Sequence, residues 1–273
     1  SIDAMGGDHG VSATVPGLAL SLKRLPASVR FLLHGDEALI GPELARAPDL
    51  ARRSEIRHTD KVIASDEKPA TAVRRGKGAS MWNAIESVKS GEAVAAVSSG
   101  STGSLMAIAR LVLRMSVPME RPPLVVPWPG LKGVTTLLDA GANIDCDAER
   151  LVEFAILGEA YHRVAYGVER PRVGVLNVGS EDMKGHDEVQ QAHAILRSGR
   201  LDIAYHGFVE GDDLSTNLVD VVVTDGFTGN VALKTGEGAD LGHKARSQGR
   251  LEFLGDVASG ALPGLQGDIP GEP

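Results

Sequence analysis

The chain has a single cysteine, Cys146, among 273 residues. No internal disulfide can form, so packing alone must hold the fold, as suits a reducing compartment. No stretch approaches the roughly 18 consecutive apolar residues that a membrane-spanning helix needs. No basic segment followed by an apolar run opens the chain, so a cytoplasmic protein is expected. Positive charge is also scarce: 28 Lys and Arg against 36 Asp and Glu leave a net charge of -8. That balance argues against nucleic-acid binding, which relies on clustered cations, but leaves room for a local pocket that takes a small anion. Aromatic residues make up only 4% of the chain.

Several familiar catalytic patterns are absent as well. The sequence has no G-x-S-x-G elbow, no H-E-x-x-H, no G-x-x-x-x-G-K-S/T and no C-x-x-C. Cys146 sits between Asp145 and Asp147, whose negative charges should raise its pKa and oppose thiolate formation, so it is a poor nucleophile. Acidic residues are plentiful, yet none has a loop spacing that dictates a metal site, and no metal or cofactor is expected.

What is present is a chain 42% hydrophobic with 33 glycines. Short apolar runs ending in Gly, Asp or Asn alternate with helical patterns, the signature of βα units around a mainly parallel sheet. Strands are expected at Val29 to Leu33, Ala93 to Val97, Val134 to Leu138, Arg172 to Leu176 and Val219 to Val223, after a strand-like opening. Helices are expected at Ala13 to Leu20, Thr71 to Gly76, Met81 to Ser90, Thr102 to Leu113, Asp147 to Val164 and Glu188 to Ser198. Five prolines between Pro118 and Pro129 read as an irregular crossing between two halves. One α/β domain is expected over residues 1 to 240, followed by an irregular tail over 241 to 273, where Gly, Pro and scattered polar residues replace the rhythm.

Ligands in open α/β sheets settle beyond the carboxyl ends of strands, so the loops there should line one cleft. Ser98 to Gly103 precedes an apolar helical pattern. Its N-H groups and hydroxyls either hold an anion at a helix N-terminus or simply cap the helix. Asp3, Asp8 and His9 surround Gly6-Gly7, where His9 is either a general base or part of an ordinary turn. Lys184 and Lys234 either neutralise a phosphate or oxyanion or are solvated surface lysines. Asn230 either donates its amide to a carbonyl oxygen or caps a helix.

Read together, Asp3 to His9, Asp66 to Pro69, Ser98 to Gly103, Leu138 to Asn143, Gly207 to Gly211 and Asp225 to Thr235 resemble the ordered motifs of the PlsX family. The resemblance runs from Ile2 to about Ala239. It implies a three-layer αβα fold similar to isocitrate and isopropylmalate dehydrogenases, a homodimer, and transfer of a fatty acyl group from acyl carrier protein (acyl-ACP) to inorganic phosphate. Phosphate can itself attack a thioester, so neither a nucleophilic side chain nor a redox cofactor is required. The site that follows has Lys184, Asn230 and His9 in catalytic roles. Asp8, Ser99, Gly100, Ser101, Thr102, Gly103, Asn143, Asp225 and Lys234 would bind phosphate and substrate. The family usually carries Asn where this chain has Ser101. It also continues beyond Lys234-Thr235 into a helical hairpin implicated in dimer packing and peripheral membrane contact, which Leu241 to Pro273 do not match.

Three other readings compete. A phosphotransacetylase-like enzyme would take acyl-CoA, a dehydrogenase of the related fold would need a nicotinamide and a divalent metal, and a non-catalytic scaffold would only bind the carrier.

Overall fold

The computed structural model describes residues 1–115, 119–181 and 183–246. The chain divides after Met119 into two units, each built on its own sheet. The division falls in the proline-rich stretch that the sequence marks as a crossing, of which Pro118 lies outside the described residues.

The first unit has four parallel strands, β1 (Ile2–Asp3), β2 (Phe31–Gly35), β3 (Ser54–His58) and β4 (Val97–Ser98), in the order β3-β2-β1-β4. Its helices are α1 (Val11–Ser21), α2 (Glu37–Ala45), α3 (Pro48–Ala51), α4 (Pro69–Arg75), α5 (Ser80–Lys89) and α6 (Thr102–Leu113). Val11 and Val15 of α1 pack with Ile2, Leu33, Ile40 and Leu44. Met81 and Ile85 of α5 meet Ile108 and Val112 of α6. All three of these same-helix pairs, Val11 with Val15, Met81 with Ile85 and Ile108 with Val112, have the i, i+4 spacing that puts two side chains on one face.

The second unit has β5 (Val126–Gly130), β6 (Gly133–Leu138), β7 (Arg172–Leu176), β8 (Ala204–Val209) and β9 (Val221–Val223), ordered β5-β6-β9-β7-β8. All neighbours are parallel except β5, which runs antiparallel to β6 at the sheet edge. Its helices are α7 (Ala148–Tyr166), α8 (Asp187–Arg197), α9 (Asp213–Thr216) and α10 (Gly226–Arg246). On one face, Leu138, Val173, Val175, Val221 and Val223 pack with Leu151, Phe154 and Ala155 of α7 and with Leu196 of α8. On the other, Leu137 and Val222 pack with Leu214 of α9 and Ala232 of α10. This unit is therefore an αβα sandwich on a mainly parallel sheet, as expected. The close approach of α7 depends on Gly158, where a Cβ would lie 2.6 Å from Val221 Cγ1 and 2.8 Å from Leu138 Cδ2.

Some elements differ from the sequence reading. β2 begins at Phe31 rather than Val29, in register with β1 through Leu33 opposite Ile2 and His34 opposite Asp3. β4 shrinks to Val97–Ser98. β5 was hidden by Pro127 and Pro129, which an edge strand tolerates because one side needs no donors. β8 was hidden by His206 and Gly207. α10 runs past Leu241 to Arg246, and the remainder of the expected tail, 247–273, lies outside the described residues.

Candidate functional site

In the first unit, β1 and β4 are neighbours and their carboxyl ends are tied together. Asp3 is buried at the end of β1. Its carboxylate accepts the Met5 N-H at 3.2 Å and the Ser98 hydroxyl at 2.6 Å, and the Ser98 oxygen accepts the Gly100 N-H at 3.0 Å. The Ser99 hydroxyl donates to the Gly6 carbonyl at 2.9 Å. These bonds require close backbone approach: a Cβ on Gly6 would lie 2.7 Å from Asp3 Oδ2 and 2.8 Å from the Gly100 nitrogen.

The same loop opens α6. Ser101 is its N-cap, accepting the Ser104 N-H at 3.4 Å, while the Leu105 N-H bonds the Ser101 carbonyl. The N-H groups of Thr102 and Gly103 find no partner among the described residues, so they are the orphan donors at the positive end of the helix. Of the residues expected to bind phosphate here, Ser99, Gly100 and Ser101 thus have donors or acceptors engaged within the loop, whereas Thr102 and Gly103 keep theirs available. Asp8 and His9 are exposed beside the start of α1, and the His9 carbonyl accepts the Ser12 hydroxyl at 2.7 Å.

In the second unit, three loops follow the neighbouring parallel strands β6, β9 and β7. Asp139, fully buried after β6, accepts the N-H groups of Leu124 (2.9 Å), Gly141 (3.1 Å) and Ala142 (3.0 Å) on Oδ1. Its Oδ2 takes the backbone N-H of Asn143 at 2.6 Å and the side-chain amide at 2.7 Å. The Asn143 carbonyl then accepts the Gly226 N-H at 2.7 Å, which ties this loop to the start of α10. A Cβ on Gly141 would lie 3.6 Å from Asn230 Cγ, so Asn143, Asp225 and Asn230 come together around the ends of β6 and β9.

Asp225, not Asn230, caps α10. Its carboxylate accepts the Thr228 N-H at 2.8 Å and the Thr228 hydroxyl at 2.7 Å. Asn230 lies within the helix and is exposed, one turn before Lys234, which pairs with Glu237 at 2.8 Å. Lys184, on the loop after β7, pairs with Glu181 at 2.9 Å, and that hydrogen bond holds its pKa above the ordinary lysine value. Exposed pairs of this kind contribute little, so either cation can leave its partner for a stronger anion.

Two residues that organise these loops lie in the motifs singled out by the sequence but were given no site role there: Asp3 and Asp139. The available signal was a buried strand ending in Asp-Ala with Gly close behind. Cys146 is a poor nucleophile as expected, but for a different reason. Burial pushes its thiol up to about 11, aided by the Asp139 and Asp225 carboxylates rather than by the flanking aspartates. Among the described residues no group of three or more His, Cys, Asp and Glu is placed to hold a metal ion. No helix among them is long and apolar enough to cross a membrane.

The model of the fatty acid synthesis protein family matches residues 1–251. The chain belongs to this family. A phosphate acyltransferase of Phenylobacterium zucineum is 65% identical over 239 residues, covering 88% of this chain and 68% of that one. One from Caulobacter vibrioides is 60% identical over 268 residues, covering 96% and 74%. Among solved structures, the EutD phosphotransacetylase of Staphylococcus aureus superposes with a TM-score of 0.58 at 17% identity, covering 88% of this chain and 81% of that one. A branched-chain phosphotransacylase of Enterococcus faecalis gives 0.52 at 15% identity, covering 86% and 82%. These two share the fold. The family is the one that the six motifs resemble, and the mainly parallel α/β architecture agrees with it.

Proposed function

We propose that this family member transfers a fatty acyl group from an acyl-ACP thioester to inorganic phosphate, releasing acyl phosphate and the free carrier. The reading is carried by family membership at 65% identity to a phosphate acyltransferase. Within this reading each loop residue takes a role. The N-H groups of Thr102 and Gly103, unpartnered among the described residues at the positive end of α6, hold the phosphate dianion. The Asn230 amide and the Lys184 ammonium polarise the thioester carbonyl and stabilise the oxyanion that forms on it. A phosphate oxygen attacks the carbonyl carbon, the tetrahedral intermediate collapses, and the C-S bond breaks. The thiolate leaves and takes a proton, with His9, exposed beside the start of α1, the group for that transfer. No covalent enzyme intermediate is required. Carrier protein as donor and a homodimer as working form rest on the family resemblance alone.

The test is acyl phosphate formation by Lys184→Ala and Asn230→Ala. Loss of a hundredfold or so in kcat for either is the expected cost of removing one oxyanion donor, and near-normal rates in both would sink the assignment. Phosphate-dependent thiol release from acyl-ACP against acyl-CoA decides the donor.

A further inference from the structure

The outward face of α10 combines polar and apolar groups in an unusual way. Phe227, Asn230, Val231 and Lys234 follow the i, i+3, i+4, i+7 spacing and share one stripe. The opposite stripe is committed to the unit's interior. A Cβ on Gly229 would fall on the Asp139 carbonyl oxygen, Ala232 packs against the core, and a Cβ on Gly236 would lie 2.6 Å from the Trp128 ring. Phe227 and Val231 are therefore turned away from the sheet, 64% and 51% exposed. They bracket Asn230 within one helical turn, about 6 Å of axial rise. The same association recurs on the loop after β7, where Met183, beside Lys184, is 89% exposed. Each polar group assigned to the carbonyl thus has a large exposed apolar neighbour.

We propose that Phe227 and Val231 hold the acyl chain of the donor and set the chain length that the enzyme prefers. The inference rests on the proposed function: if Asn230 meets the thioester carbonyl, the chain bonded to that carbonyl must leave across the surface next to Asn230. On α10 that surface is apolar on both sides. A long chain lying over Phe227 and Val231 removes apolar area of both partners from water, whereas a short chain cannot reach across them.

The experiment compares kcat/KM for butyryl-, octanoyl- and hexadecanoyl-ACP in the wild type, Phe227→Ser and Val231→Ser. Both positions are exposed, so the variants should keep the wild-type melting temperature. The expected result is a loss of about tenfold or more for the hexadecanoyl donor, with the butyryl rate unchanged, for each variant. An equal effect at every chain length, or no effect, would overturn the inference while leaving acyl transfer intact. Such results would point instead to a second copy of the chain or a following segment as the occupant of this face. A wild type that forms acyl phosphate from none of the three donors would overturn the proposed function and this inference with it. As a second readout, Phe227→Leu should restore most of the long-chain preference that Phe227→Ser loses.

Discussion

Asp139 grips Asn143 twice, its Oδ2 accepting the backbone N-H at 2.6 Å and the side-chain amide at 2.7 Å. With three further N-H groups on Oδ1, this one buried carboxylate holds the whole turn after β6, and through it the start of α10. Replacing Asp139 by Asn turns one acceptor into a donor facing other donors. The expected cost is about 3 kcal/mol of stability, read from urea unfolding. Acyl phosphate formation should fall as the Gly141 to Asn143 turn releases Asn230.

The glycines predict a contrast. Gly229 has no room for a Cβ against the Asp139 carbonyl, whereas nothing lies within 4 Å of the Cβ position at Gly17 inside α1. Gly229→Ala should lower the melting temperature and the activity together. Gly17→Ala should raise stability by roughly 0.5–1 kcal/mol, as expected for alanine in a helix interior, and leave the rate alone.

Acid stability depends on His34. This buried imidazole meets the Ser87 hydroxyl at 3.1 Å, and burial foremost, with the positive Arg57 nearby, pushes its pKa down to about 4. The folded state then binds the proton less readily than the unfolded chain, whose histidine titrates near 6.5. The contribution is present above about pH 6.5 and is lost as pH falls towards 4. Urea midpoints measured from pH 7 down to 4 should decline over that window, and His34→Gln should flatten the decline. Burial lowers His162 as well, so a smaller slope should remain.

Cys146 should resist alkylation. With its thiol at about 11, only a minute fraction is thiolate at pH 8, and iodoacetamide should react far more slowly than with an ordinary cysteine. The rate should climb with pH up to about 11. Cys146→Ser should retain acyl phosphate formation, which a catalytic thiol would not allow.

The βα rhythm was legible because buried parallel strands such as Val221–Val223 and Arg172–Leu176 are short apolar runs, and because Gly-rich loops follow them. β5 and β8 were not, since edge position lets a strand carry Pro127 or His206 without the apolar signature. The loop residues Ser99 to Gly103, Asn143 and Asn230 could be singled out from their types and order. Which of their donors stay available could not, because that depends on partners distant in sequence. Ser99 is matched to Gly6, and Gly226 to Asn143.

The sequence by itself determined the family and the fold class and singled out the loops proposed to carry the chemistry, since all three are written in local residue types and their order. Only the tertiary structure decided that Asp3 and Asp139 organise those loops, that Asp225 rather than Asn230 caps α10, and that Phe227 and Val231 face outward beside Asn230. The physical reason is that a carboxylate's partners and a helix's orientation are fixed by strand pairing and packing, which bring together residues as far apart in the chain as Asp3 and Ser98.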